Sequence, residues 1–400
     1  MPSASPPTLR RLRVLILNWR DTGHPEAGGS EVYAESLADG LAERGHEVLL
    51  LTARHAGAPE RSIRPSGARV LRRGGRLTVY AAAALSHFRG DTLRPHVIVE
   101  TQNGTPYRAA LWAPRTRHMM LVHHVHREQW PVIFGPLTAR AGWLIESRLA
   151  PWVNRHRPYV AVSEVTRAEL GDQGIGADRV RVIHNGTIPP PPHDVARTPY
   201  PSLLVMGRLV PHKRVEIALR AVQRLRAEFP DVHLTVAGRG WWEATIRAEV
   251  TRLGLSGCVD VLGFVSAEER HRLYASSWVS LVPSVKEGWG LVVVEAGLHR
   301  TPTVAFQGTG GITESVVDGV TGLLAAPDDE GEYARLIGRL LREHETRATM
   351  GVAAEEFAGQ FTWDQTVDAY ERLFGELMGE ARREPRRSRR ERVEQAHLEP

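Results

Sequence analysis

The sequence of 400 residues predicts an α/β protein made of two doubly wound domains. Three observations lead to this prediction. Short apolar runs rich in strand-forming residues alternate with stretches of helical spacing, a proline-rich stretch interrupts this alternation near the middle of the chain, and the same alternation then starts again. A chain of this length is typical of about two or three domains.

The first domain opens with an apolar run at residues 14–17, which predicts a strand. A polar loop through Gly28 and Gly29 then leads to Ser30, a suitable helix N-cap, and helical spacing continues as far as Gly45. A second apolar run completes a strand–helix–strand unit, which requires parallel strands. Further elements are predicted as strands at residues 96–100, 118–122, 159–162 and 180–183 and a helix at 137–149.

Four consecutive prolines, residues 189–192, mark the boundary between the domains, because prolines cannot donate ladder hydrogen bonds and favour an extended spacer. We assign residues 12–188 to the first domain, 189–200 to a linker and 201–362 to the second domain. The elements predicted for the second domain are strands at 203–206, 233–237, 259–262, 280–282 and 303–305 and helices at 214–228, 242–253, 267–275 and 291–299.

Residues 1–11 and 381–400 are expected to be disordered. The last twenty residues carry seven arginines and four glutamates but few apolar side chains. They contribute +3 to the net charge of +5, so the rest of the chain has little basic excess and we expect no nucleic-acid partner. This basic tail would suit contact with an anionic membrane surface, or would simply keep a disordered end in solution.

Composition and the lengths of the apolar runs exclude several other features. Cys258 is the only cysteine, so an intrachain disulfide and a cysteine-rich zinc site are excluded. No apolar run reaches the ~18–20 residues that a membrane span needs. The run at residues 14–17 is too short for the core of a signal peptide, so we expect a cytoplasmic protein.

Two cations follow the first predicted strand of the second domain, at the sheet edge where ligands of open α/β sheets bind. Arg208 and Lys213 would converge there on a phosphate group and neutralise its charge as it leaves. The alternative is a solvated basic cluster at the start of a helix, where cations are unfavourable without a bound anion. Of the 51 basic residues only Lys213 and Lys286 are lysines, and a lysine fits a tight pocket differently from an arginine.

Two glutamates follow a later strand of the same domain. Glu287 lies in a glycine-containing loop, and Glu295 lies in the first turns of the next helix beside three valines. An enclosed carboxylate needs hydrogen-bonding partners, and the hydroxyls of a sugar or a ribose would serve. The alternative is a carboxylate that is favoured there by the helix dipole.

Glycine and histidine clusters are less specific signals. Gly28 and Gly29 offer backbone N–H groups to an anion or only turn the chain, and the same two options hold for residues 308–311. His123 and His124 lie among four histidines at the end of a predicted strand. No carboxylate is spaced to complete a metal site there, so we expect no metal, and we place one of the two at the interdomain cleft as a hydrogen-bonding group.

Together these motifs resemble the family 4 retaining glycosyltransferases of the GT-B fold, over about residues 12–375. The motifs that occur in the family's order are Gly28-Gly29-Ser30-Glu31, Gly45-His46-Glu47-Val48, Val162-Ser163, Asn185-Gly186, Gly207-Arg208-Leu209 with Lys213, the Glu287 and Glu295 pair, and Gly310-Gly311 with Glu314 and Asp318-Gly319-Val320-Thr321-Gly322. The resemblance implies two Rossmann-like domains that face each other across a cleft. The first would bind the acceptor, the second would bind the nucleotide sugar, and a last helix at residues 363–380 would return to the first domain.

The resemblance also implies a role for each candidate residue. Arg208 and Lys213 would bind the diphosphate of the donor, Glu287 would contact the transferred sugar, and Glu295 would hold the ribose hydroxyls. The backbone groups that would face the diphosphate belong to Gly290, Leu291 and Val292 and, from the first domain, to Gly28 and Gly29.

The implied activity is retaining, metal-independent transfer of a hexosyl unit from a UDP- or GDP-linked sugar to a hydroxyl acceptor, without a cofactor. His123 fits the cleft histidine of the family best, and its neighbour His124 is the other candidate. The acceptor is a glycan, a lipid-linked molecule or a small molecule, and a location at the inner face of the membrane would suit a lipid-linked one. Two alternatives stay open: a nucleotide-sugar epimerase of the same fold, and a non-catalytic nucleotide-sugar-binding protein.

Overall fold

The computed structural model describes residues 10–127, 130 and 135–379. The arginine-rich tail, with the expectation of a membrane contact, lies outside the described residues, and so does most of the N-terminal segment expected to be disordered. Within the described residues, no helix is long and apolar enough to cross a membrane.

The first domain is built on a sheet that has eight strands among the described residues, in the order β3-β4-β2-β1-β5-β6-β7-β8. All neighbours are parallel except β3 and β4. The strands are β1 (Arg13–Leu17), β2 (Glu47–Thr52), β3 (Arg61–Ile63), β4 (Arg69–Arg72), β5 (Val97–Gln102), β6 (Arg117–Val122), β7 (Tyr159–Ala161) and β8 (Val180–Val182). The described helices are α1 (Gly29–Glu43), α2 (Val79–Phe88), α3 (Ala109–Trp112), α4 (Pro136–Leu144), α5 (Ala150–Val153) and α6 (Glu164–Asp172), with a π-helical turn at Ile145–Leu149.

The second domain is built on a parallel sheet of six described strands, in the order β11-β10-β9-β12-β13-β14. The strands are β9 (Ser202–Met206), β10 (His233–Ala237), β11 (Val259–Gly263), β12 (Val279–Val282), β13 (Thr303–Phe306) and β14 (Gly322–Ala325). The helices are α7 (Val215–Leu225), α8 (Glu243–Arg252), α9 (Ala267–Ser276), α10 (Leu291–Gly297), α11 (Ile312–Ser315), α12 (Glu330–Arg342), α13 (His344–Ala358) and, last in the described chain, α14 (Trp363–Met378).

The parallel sheets explain the apolar runs of the sequence. Helices cover both faces of each sheet, so a central strand is buried on both sides and cannot alternate apolar with polar residues. Leu15, Ile16 and Leu17 of β1 are accordingly fully buried. The prediction of two doubly wound α/β domains is confirmed.

The last helix, α14, crosses from the second domain and packs against α1 of the first. Tyr370 and Tyr33 are both buried, with their hydroxyl oxygens 3.2 Å apart. A Cβ at Gly40 would stand 2.5 Å from Cγ2 of Val367, so glycine permits the close approach of the two helices. At the end of α1, Arg44 forms ion pairs with acidic side chains of α14.

The two domains also meet directly beside the cleft. Lys286 lies in the loop after β12, and its Nζ is 2.6 Å from Oε1 of Glu169 on α6. Glu314 of α11 accepts hydrogen bonds from the first two backbone amides of α6, those of Glu164 at 2.9 Å and Val165 at 2.7 Å. A carboxylate of the second domain therefore caps a helix of the first, where the helix dipole favours negative charge.

Three local features differ from the prediction. The helix expected from residue 214 begins at Val215, because Arg214 has a left-handed backbone (φ +48°) and Lys213 lies in a short 3-10 turn, Pro211–Lys213. The β3–β4 pair at the sheet edge was not expected. Strand β14 was not expected either, and it begins at Gly322, the last residue of the Asp318–Gly322 motif.

Candidate active site

A cleft of about 1960 Å³ separates the carboxyl ends of the two sheets and is lined by residues of both domains. The structure brings to this one cleft every residue to which the sequence analysis gave a catalytic or donor-binding role. These residues are Gly28, Gly29, His123, His124, Arg208, Lys213, Glu287, Gly290, Leu291, Val292 and Glu295.

The Lys213 ammonium forms an ion pair with Oε1 of Glu287. The same oxygen accepts a hydrogen bond of 2.6 Å from the Ser284 hydroxyl. Burial alone would raise the pKa of Glu287, but Lys213 and Ser284 outweigh it and hold this pKa below its ordinary value. The cleft wall of the second domain thus carries an oriented ammonium beside an ionised carboxylate.

Arg208 follows β9 and extends towards the first domain. Its Nε would lie 2.7 Å from a Cβ at Gly28, the residue that precedes α1. Burial lowers the pKa of Arg208. The guanidinium remains charged, because an arginine pKa lies far above neutral pH, and this charge lies where the two domains approach each other.

Glu295 lies in the second turn of α10 and is held on both oxygens. Tyr274 donates a hydrogen bond of 3.0 Å to Oε2, and Arg270 lies 3.2 Å from Oε1. Burial raises the pKa of Glu295, although Arg270 and Tyr274 oppose the shift. The helix begins after Gly290, whose left-handed backbone (φ +85°) and contact with Ile312 leave no room for a side chain.

The two candidate histidines differ in their surroundings. His123 is buried with its ring against Tyr33, and its Nε2 has no hydrogen-bond partner among the described residues. Burial lowers the pKa of His123 to about 4, so the ring is neutral at pH 7. The His124 ring packs on His126, with ring centroids 4.2 Å apart.

Glu146 organises the rest of this histidine loop. Its oxygens accept hydrogen bonds from the backbone amide of His126 at 3.1 Å and from Nε1 of Trp130 at 2.7 Å, and Nδ1 of His126 lies at 2.9 Å. In the described part of the chain, no group of three or more histidine, cysteine, aspartate or glutamate residues is arranged to hold a metal ion.

The glycine-rich loop at residues 308–311 supports the Glu287 loop from behind. The Glu287 amide donates to the carbonyl of Thr309 at 3.0 Å, and the Gly311 amide donates to the carbonyl of Glu287 at 2.9 Å. The sequence left two interpretations of this loop, an anion-binding loop and a simple turn of the chain. Its backbone contacts are those of a turn.

Several cleft residues were missed by the sequence analysis, notably Arg20, Arg108, Arg239 and Arg270. Arg270 positions Glu295 from the neighbouring helix α9, 25 residues earlier in the chain. No local pattern distinguishes it, because arginine supplies nearly all of the basic residues in this sequence.

Two doubly wound domains that enclose this cleft define the GT-B fold. The fold matches sucrose-phosphate synthase from Thermosynechococcus elongatus (TM-score 0.78, 20% identity, 92% of this chain and 100% of that one). It also matches HepE from Anabaena, solved with UDP and glucose (TM-score 0.72, 21% identity, 92% and 100%).

Family comparisons give the particular assignment. The model described as Glycosyltransferase Family 4 matches residues 27–189, and the one described as Glycosyl transferases group 1 matches residues 194–357. D-inositol 3-phosphate glycosyltransferases are similar along most of the chain: 28% identity in Segniliparus rotundus (92% of this chain, 89% of the relative) and 29% in Mycolicibacterium smegmatis (95% and 94%). The chain belongs to glycosyltransferase family 4.

Proposed function

We propose that this glycosyltransferase moves a hexosyl unit from a UDP-linked sugar to a hydroxyl group of its acceptor, with retention at the anomeric carbon and without a metal ion. The observation that carries the proposal is the convergence of Arg208 and the Lys213–Glu287 pair on one cleft. The UDP and glucose in the HepE structure support this choice of donor.

The cations supply the main catalytic effect in this proposal. Glycosyl transfer passes through an oxocarbenium-like state while negative charge grows on the departing diphosphate. Arg208 and Lys213 stabilise that charge, and the first amides of α10, at Leu291 and Val292, lack carbonyl partners within the helix and add to the effect. Glu295, held by Tyr274 and Arg270, accepts hydrogen bonds from the ribose.

The sugar lies against His123, whose neutral ring offers Nε2 to a sugar hydroxyl. The carboxylates of the cleft argue against a covalent glycosyl-enzyme intermediate. Among the described residues that line it these are Glu26, Glu287 and Glu295, and each is held by a cation rather than presented as a nucleophile. In the retaining reaction that we propose, the acceptor hydroxyl attacks the anomeric carbon on the face from which the diphosphate departs, and an oxygen of the departing phosphate takes the proton of that hydroxyl.

The experiment is a transfer assay with UDP-hexoses, in which released UDP is quantified and the anomeric configuration of the product is determined by NMR. The acceptor panel includes D-inositol 3-phosphate, for which the relatives are named. We expect an α-linked product from an α-linked donor, undiminished by a chelator, and a loss of about 100-fold or more in the Lys213→Ala variant. Arg252→Ala, on an exposed arginine of α8, is the matched control.

Other outcomes identify the alternatives. An inverted product or full activity of Lys213→Ala would contradict the proposal. Epimerised sugar formed without any acceptor would favour an epimerase, and binding without turnover on any acceptor would favour a non-catalytic protein. A thermal-shift screen of UDP-, GDP-, ADP- and TDP-sugars tests the base, because a ligand that binds only the folded state raises Tm.

A further inference from the structure

The wall of the cleft in the first domain contains a second cationic site, away from the donor residues. Arg76 precedes α2, Tyr80 lies in its first turn, and Tyr107 and Arg108 precede α3. All four line the same cleft as His123. We call these four residues the arginine corner.

Two side-chain polar atoms of the arginine corner lack a partner in the described part of the protein, and the Arg76 guanidinium lies 5.6 Å from the centroid of the Trp19 ring. Nε of Arg108 and the hydroxyl of Tyr107 are buried without a hydrogen bond, and within the described residues neither Arg76 nor Arg108 forms an ion pair. The carboxylate that this wall contributes to the described cleft lining is Glu26, and Arg20 holds it at 3.1 Å. Buried donors are normally satisfied, so two arginines that line the cleft without an ion pair in the described chain, beside buried donors without a partner there, indicate a site for an anion.

The backbone at Arg108 is held in place by a buried carboxylate. Arg108 has a left-handed conformation (φ +59°), which is unfavourable for a residue with a side chain. Glu100, fully buried on β5, accepts hydrogen bonds from the amides of Arg108 at 2.7 Å and Ala109 at 2.9 Å. The two hydrogen bonds from Glu100 therefore stabilise the strained turn and fix the position of Arg108.

The two tyrosines add hydroxyl donors to the corner. Their rings pack with centroids 4.9 Å apart. Burial raises the pKa of Tyr80 to about 12 despite the opposing charges of Arg108, Arg20 and Arg76, so its hydroxyl stays protonated at neutral pH. The corner thus combines two guanidinium groups with phenol donors and offers no free carboxylate among the described residues.

We propose that the arginine corner binds an oxyanion of the acceptor, a phosphate monoester or a carboxylate, and thereby selects anionic acceptors over neutral ones. This inference rests on the proposed function, since it assigns the first domain to the acceptor. A guanidinium fork and phenol hydroxyls match the geometry of an oxyanion. A neutral hydroxyl in the same place would leave the half-buried Arg108 without a counter-charge.

The test measures binding separately from transfer. With the donor site saturated by UDP, inorganic phosphate and two matched pairs are titrated by calorimetry: D-inositol 3-phosphate with inositol, and glucuronate with glucose. We expect at least one anionic probe to bind about tenfold or more tighter than its neutral counterpart. The Arg108→Met variant should lose this preference while its affinity for UDP is unchanged, and Arg115→Met, on an exposed arginine outside the cleft, should keep it.

Arg76→Met serves as a second variant, because Arg76 is exposed and its change leaves the Glu100 turn intact. Like Arg108→Met, this variant should reduce the preference for anionic over neutral probes. Failure of every anion to bind, or a preference that survives both arginine variants, would overturn the proposal. If anions bind but no UDP-sugar is transferred, the proposed function is wrong and the anion site is retained. If transfer occurs with equal KM for charged and neutral acceptors, the proposed function is retained and the anion site is wrong.

Discussion

Arg208 occupies the space that a side chain at Gly28 would need, with its Nε 2.7 Å from the position of a Cβ there. The two residues belong to different domains, so the absence of a side chain in one domain positions a cation of the other. This contact makes the glycine before α1 a steric determinant of the donor site that we propose.

Gly28→Ala should therefore displace Arg208 and raise the KM for the UDP-sugar about tenfold, since a charge-assisted contact to the diphosphate is weakened. The free energy of unfolding should change little, because a flexible side chain can yield. Steady-state kinetics and chemical denaturation measure the two effects. Gly171→Ala is the control, since a Cβ there meets no atom within 4 Å; equal kinetics for both variants would contradict the assignment.

Glu295→Gln should stabilise the free protein and weaken its binding of UDP. Burial raises the pKa of Glu295, so the folded state disfavours its charge, and stability is lost as the pH rises through that pKa. Gln removes the charge and keeps an oxygen for Tyr274. We expect a higher Tm at pH 7 and UDP affinity reduced about tenfold, measured by calorimetry; a lower Tm would argue against this account.

Glu287 has the opposite pH dependence. Its pKa lies below the ordinary value of 4.5, so the carboxylate adds stability above pH 4.5 that is lost as the pH falls through the lowered pKa. Glu287→Gln should lower the free energy of unfolding by about 1–2 kcal/mol at pH 7, and this difference from the wild type should shrink as the pH falls below 4.5. Urea titrations across pH test this, with Glu345→Gln, an exposed glutamate, as the reference. If the difference in the free energy of unfolding between the variant and the wild type is constant with pH, the ion pair is not the cause of that difference.

Glu314→Ala should loosen the contact between the domains. The first amides of α6 lose their acceptor, at a cost of about 1 kcal/mol. Hydrogen exchange should accelerate at the amides of Glu164 and Val165. Glu332→Ala is the matched control, because Glu332 accepts a comparable hydrogen bond from the Ala326 amide within the second domain. Unchanged exchange at α6 would show that the cap is dispensable.

The central strands could be predicted because burial on both faces turns them into continuous apolar runs, as in β1. The edge pair β3–β4 could not, since Arg61–Ile63 is largely exposed and carries no such run. Motifs directly after strands indicated the cleft, but the partnership of Lys213 with Glu287 spans 74 residues and has no local pattern. The arginine corner was hidden for another reason: 51 basic residues are almost all arginine, so residue type alone does not distinguish those at a site.

The contact of α14 with α1 has a consequence for synthesis on the ribosome. The first domain emerges long before residues 363–378, which complete its apolar core around Tyr33 and Leu37. Until then the nascent chain carries an uncovered apolar face, and it finishes folding only after the whole second domain has been translated. A fragment ending at the proline stretch would retain that face and would aggregate.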